Sequence, residues 1–256
     1  MEKYALVTGS SRGIGKAIAL QLASDGYDIL LHCRQQLDEV KAVQSEIEVL
    51  GRKAYIFQAD LSKENEVEAM FQSIPKVTEK LDLLVNNAGF DYGYLFEDYT
   101  LAQMREVLDI VLWAKVMVTK LALPLLKKSE KAQIINIASR MGREKTIKTI
   151  AIYGPAMAGV MKFTQCMALE LADYKIRVNC VAPGLTRTDL TERMFIRDEG
   201  SAKAAEQLWQ ELANKNPSKR VGMPEDVANL VSFVASDKAQ YINGEILSVN
   251  GGSNLI

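Results

Sequence analysis

Three glycines within seven residues, Gly9, Gly13 and Gly15, stand between the apolar run Tyr4–Val7 and the helix-periodic run Lys16–Ala23. A strand that ends on so tight a turn and passes at once into a helix leaves backbone N–H groups and the positive end of a helix dipole facing outward, which suits an anion. It also commits the chain to a strand–turn–helix unit, the opening piece of a parallel sheet wound with helices.

The rest of the chain repeats that unit. Short, mostly apolar runs at Tyr4–Val7, Asp28–His32, Ala54–Phe57, Leu81–Val85, Gln133–Ile137, Arg177–Val181 and Glu245–Val249 have the look of strands buried on both faces. Between them lie stretches of helical period that begin at Gly13 and near Asp38, Lys63, Leu101, Tyr153 and Pro224. Seven strands with helical crossovers predict an α/β fold, a doubly wound parallel sheet of Rossmann type flanked by helices. No repeat or low-complexity linker divides residues 1–256, so one domain is expected. The longest strand-free interval follows the sixth strand. Its first part, about residues 186–220, is read either as a lid over a ligand crevice or as a helical hairpin that merely caps the core.

Composition narrows the function classes. The chain has 256 residues, 48% hydrophobic and 25% charged, with a formal net charge of -1. No basic stripe of the kind a nucleic-acid backbone requires is present in the sequence. No apolar run reaches membrane-spanning length and no leader-like segment precedes the first strand, so a cytoplasmic protein without membrane contact is expected. Cys33, Cys166 and Cys180 lack metal or redox spacing and are read as buried thiols of a reducing compartment. His32, the only histidine, is read as a wall of a nucleotide pocket rather than a metal ligand or base. Met157, Met161 and Met167 are read as core packing.

The turn Thr8-Gly9-Ser10-Ser11-Arg12-Gly13-Ile14-Gly15 has the context a dinucleotide site needs: a strand before it and a helix after it. The junction after the second strand selects between cofactors. An acid there would bind a ribose hydroxyl, whereas a phosphate on that ribose calls for positive charge. The sequence reads His32-Cys33-Arg34, and Arg12 lies in the turn itself. Two guanidinium forks near one phosphate favour NADP(H) over NAD(H).

With these residues the chain resembles the short-chain dehydrogenase/reductase family, of the 3-oxoacyl-carrier-protein reductase type, over essentially its whole length. Gly9, Ser11, Arg12, Gly13, Ile14 and Gly15 look like its cofactor motif, and Asp60-Leu61 like its adenine-contacting pair. Asn86-Asn87-Ala88-Gly89 closes the fourth strand as in the family. Pro183-Gly184, Thr186 and Thr188 resemble the segment that holds the nicotinamide end, and Pro224-Glu225-Asp226 and Val249-Asn250-Gly251-Gly252 the C-terminal signature. The resemblance implies reduction of a small or carrier-bound carbonyl by hydride from NADP(H). Tyr153 would donate the proton and touch the cofactor, and Ser139 would orient the carbonyl. It also implies a homodimer or homotetramer built on the helix Met104–Leu126 and the helix that begins at Tyr153.

Two positions depart from the family pattern. The family places a lysine four residues after the tyrosine, to lower the phenol pKa and hold the nicotinamide ribose; here that residue is Met157. It places an asparagine, anchor of a water relay, where this chain has Val111. Lys162 falls about 180° around the helix from Tyr153 and points away. Lys145 and Lys148, in the connection from Ser139 to Tyr153, and Arg140 are the remaining candidate substitutes. Pro155 beside Gly154 also marks an altered helix entrance. Three readings follow: a reductase with an atypical proton relay, a cofactor-binding or scaffold subunit that has lost turnover, and a dehydratase or isomerase use of the same site.

Overall fold

A computed structural model describes residues 2–143 and 146–255 of the chain. Seven strands, β1 (Lys3–Val7), β2 (Tyr27–Cys33), β3 (Ala54–Gln58), β4 (Leu83–Asn86), β5 (Gln133–Ile137), β6 (Arg177–Pro183) and β7 (Ile246–Val249), form one sheet in the order β3-β2-β1-β4-β5-β6-β7. Every pairing is parallel. The seven expected strands are all present, with ends shifted by up to two residues.

The helices are α1 (Gly13–Ser24), α2 (Leu37–Val49), α3 (Glu64–Ser73), α4 (Leu101–Leu108), α5 (Ala114–Leu126), α6 (Tyr153–Glu170), α7 (Asp189–Glu199), α8 (Ala202–Lys215) and α9 (Pro224–Ala235). Alternation along the strands divides the core. On β1, Ala5 and Val7 join Ile18 and Leu22 of α1, Val43 of α2 and Val231 of α9 on one face. Leu6 faces the other way, with Val67 of α3, Val118 of α5 and Ala168 of α6. Strands covered by helices on both faces must be apolar at successive positions, which is why they read as unbroken runs.

The sheet order reverses between β1 and β4, and there the chain leaves a crevice at the carboxyl ends of the strands. The helix expected as one piece over Met104–Leu126 is interrupted. Between α4 and α5 the backbone widens into a π-helical segment, Asp109–Trp113, with Val111 at its centre. The segment lies inside a largely apolar run, so the sequence does not betray it; such bulges often lie at functional sites. A second correction concerns Cys166. It is exposed while Cys33 and Cys180 are buried, because the buried stripe of α6 runs through Met157, Val160, Met161, Thr164 and Ala168.

Candidate active site

The glycine turn is a built cradle. Gly9 has φ +65° and Gly13 φ +55°, values that L side chains resist. A Cβ on Gly15 would collide with the Gly9 carbonyl. The turn is tied to the loop after β4. Thr8 Oγ1 accepts from the amides of Asn87 and Ala88 at 2.9 and 3.0 Å, and Asn87 Nδ2 donates to the Thr8 and Gly9 carbonyls at 2.9 and 3.1 Å. No side chain caps the start of α1, so its first amides still face the cleft.

His32 braces this cradle from beneath. Its Nδ1 accepts from the Gly9 amide at 3.0 Å and its Nε2 lies 3.0 Å from the Ala59 carbonyl, which assigns the proton to Nε2. Burial pushes the imidazole down to about 4, so the ring is neutral at pH 7. That is the form able to accept from Gly9.

The cleft above the cradle encloses about 720 Å³. Among the expected cofactor residues, Gly9, Ser11, Arg12, Gly13, Ile14, Gly15, Arg34, Leu61, Asn87, Ala88, Gly89, Tyr153, Pro183, Gly184, Thr186 and Thr188 line it. Asp60 does not. Its carboxylate turns to Ser62, accepting from the hydroxyl at 2.7 Å and the amide at 3.0 Å. Burial pulls Asp60 upward, but the Ser62 bonds and the Arg34 charge outweigh it and hold the carboxyl below its ordinary range. Ala59 and Leu61 supply the wall on either side. Arg34 faces Glu106 of α4 at 3.6 Å. This glycine cradle, the uncapped helix end and the two arginines fit a phosphorylated dinucleotide.

Ser139 and Tyr153 meet at the other end. The Ser139 hydroxyl draws the Tyr153 phenol down against the effect of burial, and its oxygen accepts from the Met141 amide at 3.3 Å. Tyr153 is the first residue of α6, with Pro155 in the first turn, where its missing N–H costs nothing. The 140–142 turn lies tight on α6, for a Cβ on Gly142 would stand 2.7 Å from the Ala158 amide. Serine and tyrosine thus line the same cleft despite the altered helix entrance. Burial, and then the Asp91 charge, push the Tyr153 phenol well above its usual value.

Met157 and Val111 pack together with Ala138, Val160 and Met161 in a buried apolar cluster. Of the candidate substitutes, Arg140, Lys148 and Lys162 lie among the described residues. Arg140 lines the cleft and reaches the Ser253 carbonyl at 3.5 Å. Lys148 is exposed, and Lys162 lies 3.3 Å from Gln165 Oε1. Lys145 lies outside the described residues.

The interval after β6 folds as a hairpin of α7 and α8. Leu190, Met194 and Phe195 of α7 line the cleft, and Arg197 donates to the Tyr92 carbonyl at 3.0 Å. Phe195 packs on Trp209 of α8 with ring centroids 4.4 Å apart. The hairpin therefore both roofs the cleft and caps the fold.

Three groups escape a reading of the sequence. Asp91 lines the cleft, accepts from the Tyr99 hydroxyl at 2.7 Å, and is raised above its ordinary range by burial. Glu106 accepts from Tyr92 at 2.5 Å as well as facing Arg34. Lys115 of α5 is buried beneath the Asn87–Gly89 loop and donates to the Ala88 carbonyl at 2.5 Å. Its signal was there to find: Val111, Lys115 and Thr119 recur every four residues, which puts a lysine on the helix's buried face.

Known proteins resemble this chain over nearly its whole length. The family model described as Enoyl-(Acyl carrier protein) reductase matches residues 9–254. The 3-oxoacyl-[acyl-carrier-protein] reductase FabG of Staphylococcus aureus is 36% identical over 252 residues, covering 98% of each chain. That of Aquifex aeolicus is 37% identical over 251 residues, covering 98% of this chain and 96% of its own. Among solved structures, levodione reductase superposes with a TM-score of 0.90 at 28% identity, covering 99% of this chain and 98% of that one. YwfH, an NADPH-dependent reductase involved in bacilysin biosynthesis, gives 0.89 at 30% identity with the same coverage.

Proposed function

The chain belongs to the short-chain dehydrogenase/reductase family as a carbonyl-reducing oxidoreductase, and on that premise we propose that it uses NADP(H) to reduce a carbonyl, in the first instance a 3-oxoacyl thioester. The observation that carries the proposal is the single cleft that has the glycine cradle, Arg12 and Arg34 at one end and Ser139 with Tyr153 at the other. Bound there, the cofactor would supply a hydride. The protein's own part is to hold it and to manage one proton. The turn from Gly9 to Gly15 would receive the pyrophosphate, and the loop Asn87-Ala88-Gly89 with Pro183, Gly184, Thr186 and Thr188 would enclose the nicotinamide end. Ser139 would orient the carbonyl oxygen and Tyr153 would donate its phenolic proton to it. The 186–220 hairpin serves as lid, and the whole chain acts as one domain.

The proton relay is atypical because no ammonium stands one turn beyond Tyr153. A phenol held above its usual range donates its proton more reluctantly, so turnover should be slow beside that of the family's complete sites. The same observation favours a second reading, a cofactor-binding subunit without turnover. We place the protein in the cytoplasm and as a homodimer or homotetramer, since Leu108, Trp113 and Leu169 leave apolar surface on the helices expected to pair.

NADPH and NADH titrations followed by fluorescence, with NADPH oxidation assayed on an acetoacetyl thioester, test the proposal. The expected result is micromolar binding, tighter for NADPH, and slow but measurable oxidation. Equal affinity for the two cofactors would remove the NADP(H) assignment. Tight binding without oxidation of any carbonyl offered would favour the second reading.

A further inference from the structure

Among the described residues Lys115 is the only buried lysine or arginine. A buried ammonium is costly unless something compensates its charge. Among the described titratable groups only Cys180 on β6 is an electrostatic neighbour of it. Burial pushes that thiol up to about 12, so it is neutral and offers no counter-charge. Asp91 and Tyr153, on the cleft side of the loop, exert none. What Lys115 has is the Ala88 carbonyl, 2.5 Å from Nζ.

Its position is more informative than its burial. Nζ lies 3.9 Å from where a Cβ on Gly89 would stand. Because Ala88 and Gly89 line the cleft, one layer of backbone separates the ammonium from it. The loop is gripped on two sides: Thr8 Oγ1 holds the Asn87 and Ala88 amides, and Lys115 holds the Ala88 carbonyl. The floor beneath is polar as well. Asn86 Nδ2 donates to Thr119 Oγ1 at 3.0 Å and to Asn136 Oδ1 at 2.9 Å, while Asn86 Oδ1 is buried with no partner. Thr119 lies one turn of α5 beyond Lys115, and Val111 one turn before it.

We propose that Lys115 is a positioning residue for the dinucleotide: from α5 it fixes the Asn87-Ala88-Gly89 wall and sets a positive charge behind the nicotinamide half of the cleft, where Met157 of α6 brings no charge. An anionic cofactor would supply the compensation that the described titratable groups do not. The inference rests on the NADP(H) reading given above.

The test is the pH dependence of NADPH binding in wild type and Lys115→Met. Burial pushes the lysine down to about 8. Other titratable groups at the cleft lie elsewhere: His32 at about 4, and Tyr153 well above its usual range. Wild type should therefore bind NADPH progressively more weakly from pH 7 to pH 9.5. The Met variant should bind about tenfold more weakly at pH 7, equivalent to roughly 1.4 kcal/mol, with a flat profile. A merely structural clamp would lower affinity without changing the profile. A variant that binds as wild type does, or a wild-type profile flat across that range, overturns the proposal. If the variant does not fold, the wild-type profile alone decides. A wild type that binds neither NADPH nor NADH at any pH would instead remove the cofactor reading beneath it.

Discussion

The guanidinium of Arg34 stands 3.6 Å from the carboxylate of Glu106, joining the end of β2 to α4 across the glycine-cradle end of the cleft. Both residues line it. The arginine that a ribose phosphate would need is already partnered, and Tyr92 holds the other carboxylate oxygen. A phosphate entering there competes with Glu106 for the same fork of donors.

Neutralising that competitor should help NADPH alone. Both side chains are partly exposed, at 43% and 37%, so the pair is worth at most about 1 kcal/mol. Glu106→Gln should then tighten NADPH binding by about threefold to fivefold and leave NADH unchanged, as read by fluorescence titration. Arg34→Ala should weaken NADPH selectively. An NADPH-to-NADH preference that does not move in Glu106→Gln would show that the carboxylate does not contest the phosphate.

Supplying the absent cation should speed proton transfer. Met157→Lys places an ammonium one turn along α6 from Tyr153, lowering a phenol that burial now holds high. Val111→Asn restores a polar group at the π segment. Together they should raise turnover on an acetoacetyl thioester by about one to two powers of ten. Wild type turning over as fast as the double variant would mean that another group already does the work of the missing pair.

The sheet was legible because β1 through β6 are buried on both faces and so appear as nearly continuous apolar runs. The cradle was legible because Gly9 and Gly15 meet a backbone demand that no other residue fills. What the sequence hid was set by distant packing. Arg34 and Glu106 have no local relationship, and Asp60 turned to Ser62 through a bond that is local but carries no motif. The π segment lies within a largely apolar run and reads as ordinary helix. Lys115 looked like one charge in an apolar run, because only the position of α5 against the Asn87–Gly89 loop gives that charge a meaning.

Acid should loosen the cradle through His32. Its imidazole falls from 6.5 to about 4 on burial, so below pH 6.5 the unfolded chain binds a proton that the folded one refuses. Stability from this residue is complete above pH 6.5 and is lost as the pH falls toward 4, by about 3 kcal/mol in total. The midpoint of urea unfolding should drop over that window in wild type and drop less in His32→Asn. If both proteins lose the same stability between pH 6.5 and 4.5, the histidine is not held neutral by its burial between Gly9 and Ala59.

Lys115 should leave the opposite mark, in alkali. Its folded value of about 8 lies below the ordinary 10.5, so between those limits the unfolded chain again carries the extra proton and stability rises with pH. The gain approaches about 3 kcal/mol across the interval, with a slope no steeper than about 1.4 kcal/mol per pH unit. Lys115→Met lacks this contribution, so wild type should gain on the variant as the pH climbs from 7.5 to 10.5, whatever their difference at the start. Urea unfolding at several pH values measures it. This stability trend runs against the binding trend: the proton that costs the empty fold stability is the one that should strengthen its hold on NADPH. Saturating NADPH should therefore flatten the wild-type stability profile, because the bound dinucleotide compensates the charge and raises the lysine toward its ordinary value. A wild-type profile as steep with NADPH as without it would mean that the ammonium does not sense the cleft.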